Sequence, residues 1–167
     1  MSRFDFDVAA VRLNFTFMSA AYDYHAAPGY LMRRAHQLAV AIFAAETASF
    51  DLTPVQFAML NALLDEPGED QITLASKVAF DAATSGAVIA RLENKGLLRR
   101  DADPQDKRRK LLSLTPAGEQ VVVAMKTAVA QVQNRITAPL SGAEAQELTR
   151  LLSKLITGHE ADWVTRS

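Results

Sequence analysis

The residues best placed to do chemistry lie between Arg99 and Thr115. Six cations (Arg99, Arg100, Lys107, Arg108, Arg109, Lys110) and three anions (Asp101, Asp103, Asp106) give this stretch a net charge of +3, in a 167-residue chain whose formal charge is −1. Short apolar runs, Leu97-Leu98 and Leu111 to Leu114, flank it. Asp103-Pro104 forces a turn, because proline fixes its own φ and pushes the preceding residue out of the helical region. The stretch therefore reads as a β-hairpin with a cationic tip. Four consecutive cations repel one another unless a polyanion neutralises them, so the chemistry on offer is phosphate binding. The bland alternative is a solvated charged turn.

Other chemistry finds little support. The three histidines, His25, His36 and His159, are scattered, and no Gly-x-Ser-x-Gly, His-Glu-x-x-His or phosphate-loop pattern occurs, so no enzyme is expected. The absence of cysteine excludes a disulfide framework, thiolate metal sites and cysteine redox sensing. His36 with Glu46 is too sparse for a metal, and His159-Glu160-Ala161-Asp162 reads as a frayed end, so neither metal nor cofactor is expected. No apolar run reaches the ~18 residues that span a bilayer. Asp5, Asp7 and Arg12 interrupt the apolar N-terminus, which argues against a signal peptide. The expectation is a cytoplasmic protein without a membrane partner. The near-neutral balance excludes a histone-like coat of positive charge but not a reader of DNA with one basic edge.

The elements that must position the hairpin follow from caps and apolar spacing. Upstream, a helix-sized run from Asp81 to Lys95 is closed by Gly96. Thr73 is expected to cap a short helix from Leu74 to Val78, leaving only a few residues before Asp81, as in a helix-turn-helix. Further upstream, Tyr30 to Ser49 carries a helical stripe (Leu31, Ala35, Leu38, Ile42), and Thr53-Pro54 opens a second helix by a cap and a first-turn proline. Thr115-Pro116 opens another long helix that runs to Pro139, and Ser141 caps a last one from Ala143 to Ile156. The fold predicted is mainly α with a small β-hairpin wing: a winged helix-turn-helix with added long dimerisation helices. Residues 51–115 form the DNA-binding domain, and 28–50 with 116–160 a helical region that buries itself across a homodimer axis. Residues 1–27, rich in phenylalanine, are a leader or arm; in another reading, translation starts at Met18.

The outer N-terminal face of the Asp81 helix offers only small groups: Ala83, Thr84, Ser85, Gly86 and Ala87. So thin a surface lets the backbone approach a major-groove floor, where Thr84 and Ser85 can bond base edges or phosphates. Arg91, a turn further on, is expected to meet phosphate. Thr73, Ser76, Lys77 and Arg99 are further phosphate candidates, with Thr73 weighed more heavily as a cap. Because arginine and asparagine are missing from the outer face, sequence preference should lean on the wing and on DNA shape.

Several separated motifs agree with one family. Asp106-Lys107-Arg108, five residues, then Leu114-Thr115, together with Thr115-Pro116-Ala117-Gly118 and Arg91 to Leu97, resemble the multiple antibiotic resistance regulator (MarR) family of transcription factors. The resemblance covers roughly Tyr30 to Ile156. It implies a transcriptional repressor that binds a palindromic double-stranded DNA operator as a homodimer, with Arg108 entering a minor groove and Asp106 holding the wing arginines. It also implies an effector bound between the dimer helices and the DNA-binding core.

The residues themselves point to a small aromatic carboxylate, hydroxylated or N-heterocyclic. His36 lies at one edge of the apolar arc of the Tyr30 helix beside Met32, Arg33 and Phe43; Tyr30, Arg34 and Gln37 lie at the other; Gln56 and Met59 are expected to face the same cavity. Solvated arginines are the alternative. Competing functions are a drug- or stress-responsive regulator of an efflux gene, and a helical interaction module that does not bind DNA.

Overall fold

The computed structural model describes residues 22–106 and 108–164, with side chains as far as His159. The leader through residue 21, and Lys107 in the wing, lie outside the described residues. The chain divides into two compact units, 1–35 and 36–167.

In the first unit, the Asp23 carboxylate accepts the His25 N–H at 2.9 Å and starts a 3-10 turn over Tyr24–Ala26. Pro28 opens helix α1 (Pro28–Glu46), where its missing N–H leaves nothing unsatisfied. The rings of Tyr24, His25 and Tyr30 meet edge-on, with centroids 4.8–5.8 Å apart. The Arg33 guanidinium lies 5.2 Å from the centre of the Tyr30 ring.

In the second unit, α1 ends at Glu46, short of the expected Ser49. Thr47 is buried, and its hydroxyl donates to the Phe43 carbonyl at 2.7 Å; a 3-10 turn, Ala48–Phe50, and a left-handed Asp51 (φ 50°) then redirect the chain. Helix α2 (Pro54–Asp65) begins as expected, with Thr53 and Gln56 forming a reciprocal capping box. Helix α3 (Gln71–Lys77) starts three residues earlier than expected. Its cap is Asp70, whose carboxylate takes the Thr73 N–H at 2.9 Å, so Thr73 supplies the donor and not the cap. Asp81 caps α4 (Ala82–Asn94). The axes of α3 and α4 turn through 103°, inside the range of a helix-turn-helix. Gly96 (φ +69°) stops α4 in a conformation few other residues accept.

Strands β1 (Leu98–Ala102) and β2 (Lys110–Leu114) pair antiparallel, with Leu98 opposite Leu114 and Ala102 opposite Lys110. An isolated bridge widens the hairpin: Gly68 donates to the Leu112 carbonyl at 2.9 Å, and Leu112 donates to Glu69 at 2.8 Å. Helices α5 (Pro116–Thr137) and α6 (Gly142–Val164) follow, the latter ending eight residues beyond the expected Ile156.

One core joins these pieces. Met59, Leu60 and Leu63 of α2, Leu74 of α3, Ile89 and Leu92 of α4, Leu98 and Leu112 of the hairpin, and Val122 and Met125 of α5 are buried together. The result is a winged helix-turn-helix, preceded in the chain by α1 and followed by α5 and α6. Among the described residues no single helix is long and apolar enough to cross a membrane.

Candidate nucleic-acid interface

The wing loop is shaped by its own carboxylates. Asp103, only 8% exposed, accepts the Gln105 N–H at 2.8 Å and donates its own N–H to the Arg109 carbonyl at 3.1 Å. Asp106 accepts the Arg108 N–H at 3.0 Å and its Nε at 3.2 Å. These bonds, the side-chain contact first, hold the Asp106 carboxyl below its usual range. The Arg108 side chain is nonetheless 92% exposed. A guanidinium braced at its base and otherwise open to solvent suits a narrow, negative groove.

The next arginine is placed differently. Arg109 Nη2 bonds Asp70 Oδ2 at 2.7 Å, and its Nη1 lies 3.5 Å from Asp103. Asp70 is drawn down to about 2, first by the Thr73 N–H and then by Arg109. Arg100 bonds Glu93 at 3.1 Å and so ties β1 to α4, while Arg99 bonds Asp101 at 2.8 Å along the strand. Arg100 and Asp103 belong to the charge cluster that marks the wing in the sequence, whereas Asp70 and Glu93 lie outside it. The rule that an Asp precedes a short helix marks Asp70; nothing local marks Glu93.

On α4, Ala83 and Thr84 are exposed beside the Asp81 cap, and the Thr84 N–H is bonded at 2.9 Å. Ser85 corrects the expectation of an open polar face. It is fully buried and donates to the Ala82 carbonyl at 2.7 Å, because α4 is rotated to seat it against the core. Gly86 is partly buried and faces Gln71 of α3, whose Nε2 would lie 3.3 Å from an added Cβ, a contact that a small shift of this flexible amide would relieve. Arg91 and Arg99 are exposed, as are Thr73 and Ser76 on α3. Lys77 is exposed too and pairs with Glu66 (2.6 Å) and Glu69 (2.5 Å), which raise its pKa, Glu66 contributing most.

The expected effector residues do not all converge. Tyr30 and Arg33 belong to the N-terminal aromatic stack, and Arg34, His36 and Gln37 are exposed along α1. Phe43 is buried, its ring 6.3 Å from that of Phe57. Met59 is fully enclosed by the core, whereas Gln56, whose side-chain oxygen accepts the Thr53 N–H, lines a cavity of about 440 Å3 with Ala44, Thr47 and Leu52. A cavity of about 500 Å3 opens beside Phe43, Phe57, Val78 and Val129, with Asn61 and Gln133 at its polar edge. Sequence reading missed Phe57 and Val129, although both lie on apolar stripes. No group of three or more metal-ligating side chains occurs among the described residues.

Comparison with known proteins agrees with this geometry. The MarR family model matches residues 52–110, the winged part. The transcriptional regulator HosA of Escherichia coli O111:H- is 37% identical over 106 residues, which cover 64% of this chain and 78% of HosA. The HTH-type transcriptional repressor NicR of Pseudomonas putida KT2440 is 32% identical over 139 residues, 83% of this chain and 88% of NicR. The structure of BpsR from Bordetella bronchiseptica, described for regulation of its DNA binding by 6-hydroxynicotinic acid, superposes with a TM-score of 0.77 at 34% identity, covering 81% of this chain and 97% of BpsR. With the hairpin, the paired α3 and α4 and the flanking helices all matched over most of the length of such relatives, the chain belongs to the MarR family of transcriptional regulators.

Proposed function

We propose that this protein is a ligand-responsive repressor that binds an imperfect palindromic operator as a homodimer and leaves it when a small aromatic carboxylate, hydroxylated or N-heterocyclic, binds. The observation that carries the DNA reading is the posture of Arg108, 92% exposed yet braced by Asp106. Ala83 and Thr84 of α4 face the bases; Arg91, Arg99, Thr73 and Ser76 face phosphate. Residues 51–115 serve DNA, the flanking helices serve dimerisation, and the protein acts where the DNA is, in the cytoplasm.

Support for a dimer comes from α6. No described side chain of this 23-residue helix is buried, although Leu148, Leu151, Leu152, Leu155 and Ile156 are apolar and 39–54% exposed. A second copy is the natural cover for such a stripe. Support for the effector comes from NicR and BpsR, the latter tied by its description to a hydroxylated N-heterocyclic acid. The effector works by differential affinity: it favours a dimer whose two α4 helices no longer fit consecutive major grooves. A coupling of ~1–3 kcal/mol is enough to switch occupancy.

The test begins with duplexes selected by the protein from a random library and read by fluorescence anisotropy. Arg108→Ala should weaken binding at least tenfold and flatten the plot of log affinity against log salt by about 0.9 for each phosphate it no longer neutralises. Benzoate, salicylate and nicotinate-type acids are then titrated against the complex. Two places are candidates for the acid, the Tyr30–Arg33 stack and the Phe43–Phe57 cavity, and Arg33→Ala and Phe57→Ala tell them apart. Undiminished binding by Arg108→Ala sinks the DNA reading; release by metal or oxidant and by no aromatic acid sinks the effector reading.

A further inference from the structure

We infer that Arg109 is a positioning residue: with Asp70 it clamps the wing to the first helix of the helix-turn-helix, so that Arg108 and not Arg109 meets DNA. The inference rests on the DNA-binding reading above and assigns different work to two adjacent arginines. Among the described residues Arg108 touches a single carboxylate, that of Asp106, which lies in its own loop, and is 92% exposed. Arg109 reaches out of the loop to Asp70, 39 residues away in sequence, and also faces Asp103; its side chain is 53% exposed.

Asp70 does two things at once. Its Oδ1 caps α3 through the Thr73 N–H, and its Oδ2 receives Arg109. The helix start and the wing are therefore joined by one side chain. Beside it, the Gly68 and Glu69 backbone bonds to Leu112 add a one-residue antiparallel bridge alongside β2. A two-stranded hairpin alone is marginally stable, so its tip is only as well placed as its anchors. The bridge anchors the middle of β2, the Arg100–Glu93 pair anchors β1 to α4, and the Arg109 clamp is the anchor nearest the tip. With its charge met by Asp70 and Asp103, Arg109 has little left with which to displace counterions from phosphate.

The sign of one substitution decides the matter. Asp70→Ser keeps a competent helix cap but removes the carboxylate. If Asp70 merely places a negative charge near DNA, its removal strengthens binding. If it holds the wing, its removal weakens binding despite the more favourable charge.

The experiment compares the full chain with Asp70→Ser, Arg109→Gln and the double variant on a selected duplex across a salt series, with Arg108→Ala as reference. It adds hydrogen exchange of the Asp103 and Leu112 amides in the protein without DNA. The clamp predicts that each single variant weakens binding about three- to fivefold, the size of a partly exposed ion pair. It predicts that the double variant is no weaker than either single, that Arg109→Gln keeps the parent salt slope, and that the Asp103 amide exchanges faster in both variants. Tighter binding by Asp70→Ser, additive losses in the double variant, or a slope flattened by Arg109→Gln as by Arg108→Ala would each overturn it. Should the parent bind no duplex, the DNA reading fails, and the exchange measurement still decides whether the clamp exists: unchanged Asp103 exchange in both variants refutes it.

Discussion

Gly118 packs directly on the carbonyl of Leu97, so closely that a Cβ at position 118 would overlap that oxygen far inside van der Waals contact. The contact is locked from both sides. Thr115 donates its N–H to the Leu97 carbonyl at 3.1 Å and its hydroxyl to Gly96 at 2.6 Å, and that hydroxyl caps α5 through the Gly118 N–H at 3.1 Å. The start of α5 is thereby seated on the junction between α4 and the wing. Gly118→Ala should lower stability by ~2 kcal/mol or more, because neither backbone can give way without breaking these bonds. Urea unfolding measures it, and an unchanged midpoint would show that α5 slides freely on the wing base.

Thr84 and Ser85 should part company on DNA. Thr84 is exposed at the start of α4, whereas Ser85 is fully buried on the Ala82 carbonyl. Thr84→Ala should weaken binding by ~1 kcal/mol and relax preference at one base position. Ser85→Ala should leave the selected sequence unchanged and cost ~1 kcal/mol of folding stability at most. Altered base preference in Ser85→Ala would mean that α4 rotates on binding.

Acid should loosen the Asp70 junction only at low pH. The folded carboxyl titrates at about 2, below the ordinary 3.8, so its contribution is fully present above pH ~4 and is lost as pH falls towards 2. The stability difference between the parent and Asp70→Ser should therefore stay constant from neutral pH to ~4 and shrink progressively as pH falls from there towards 2. Carboxyl NMR of Arg109→Gln should show the Asp70 midpoint raised only part of the way, since the Thr73 N–H still holds the carboxylate. A full return to 3.8 would assign the shift to the arginine alone.

Leu151 and Leu155 are 49% and 43% exposed one turn apart on α6. Replacing both by Glu should yield a monomer by sedimentation at micromolar concentration, and affinity for a two-half-site duplex should fall to that for a half-site. A dimer that survives both changes would place the interface on other helices.

Much of this protein is legible locally. The caps at Thr53, Asp81 and Thr115, the glycine stop at Gly96 and the Asp103-Pro104 turn each act within a few residues, so the order helix, helix, hairpin, helix could be read directly. The charge excess that draws attention to the wing is likewise a property of one short segment. What the tertiary structure decided is which carboxylates those charges meet. Lys77 has Glu66 and Glu69 beside it, and Arg109 differs from Arg108 in reaching Asp70, 39 residues away. The phase of α4 that buries Ser85 follows from its place on one helical stripe with Val88, Ile89 and Leu92, a periodic signal that overrides the polar character of a serine. Helix caps, turns and stripes depend on chain connectivity, whereas ion-pair partners depend on what the fold brings within a few ångströms, and a one-dimensional pattern carries no record of that distance.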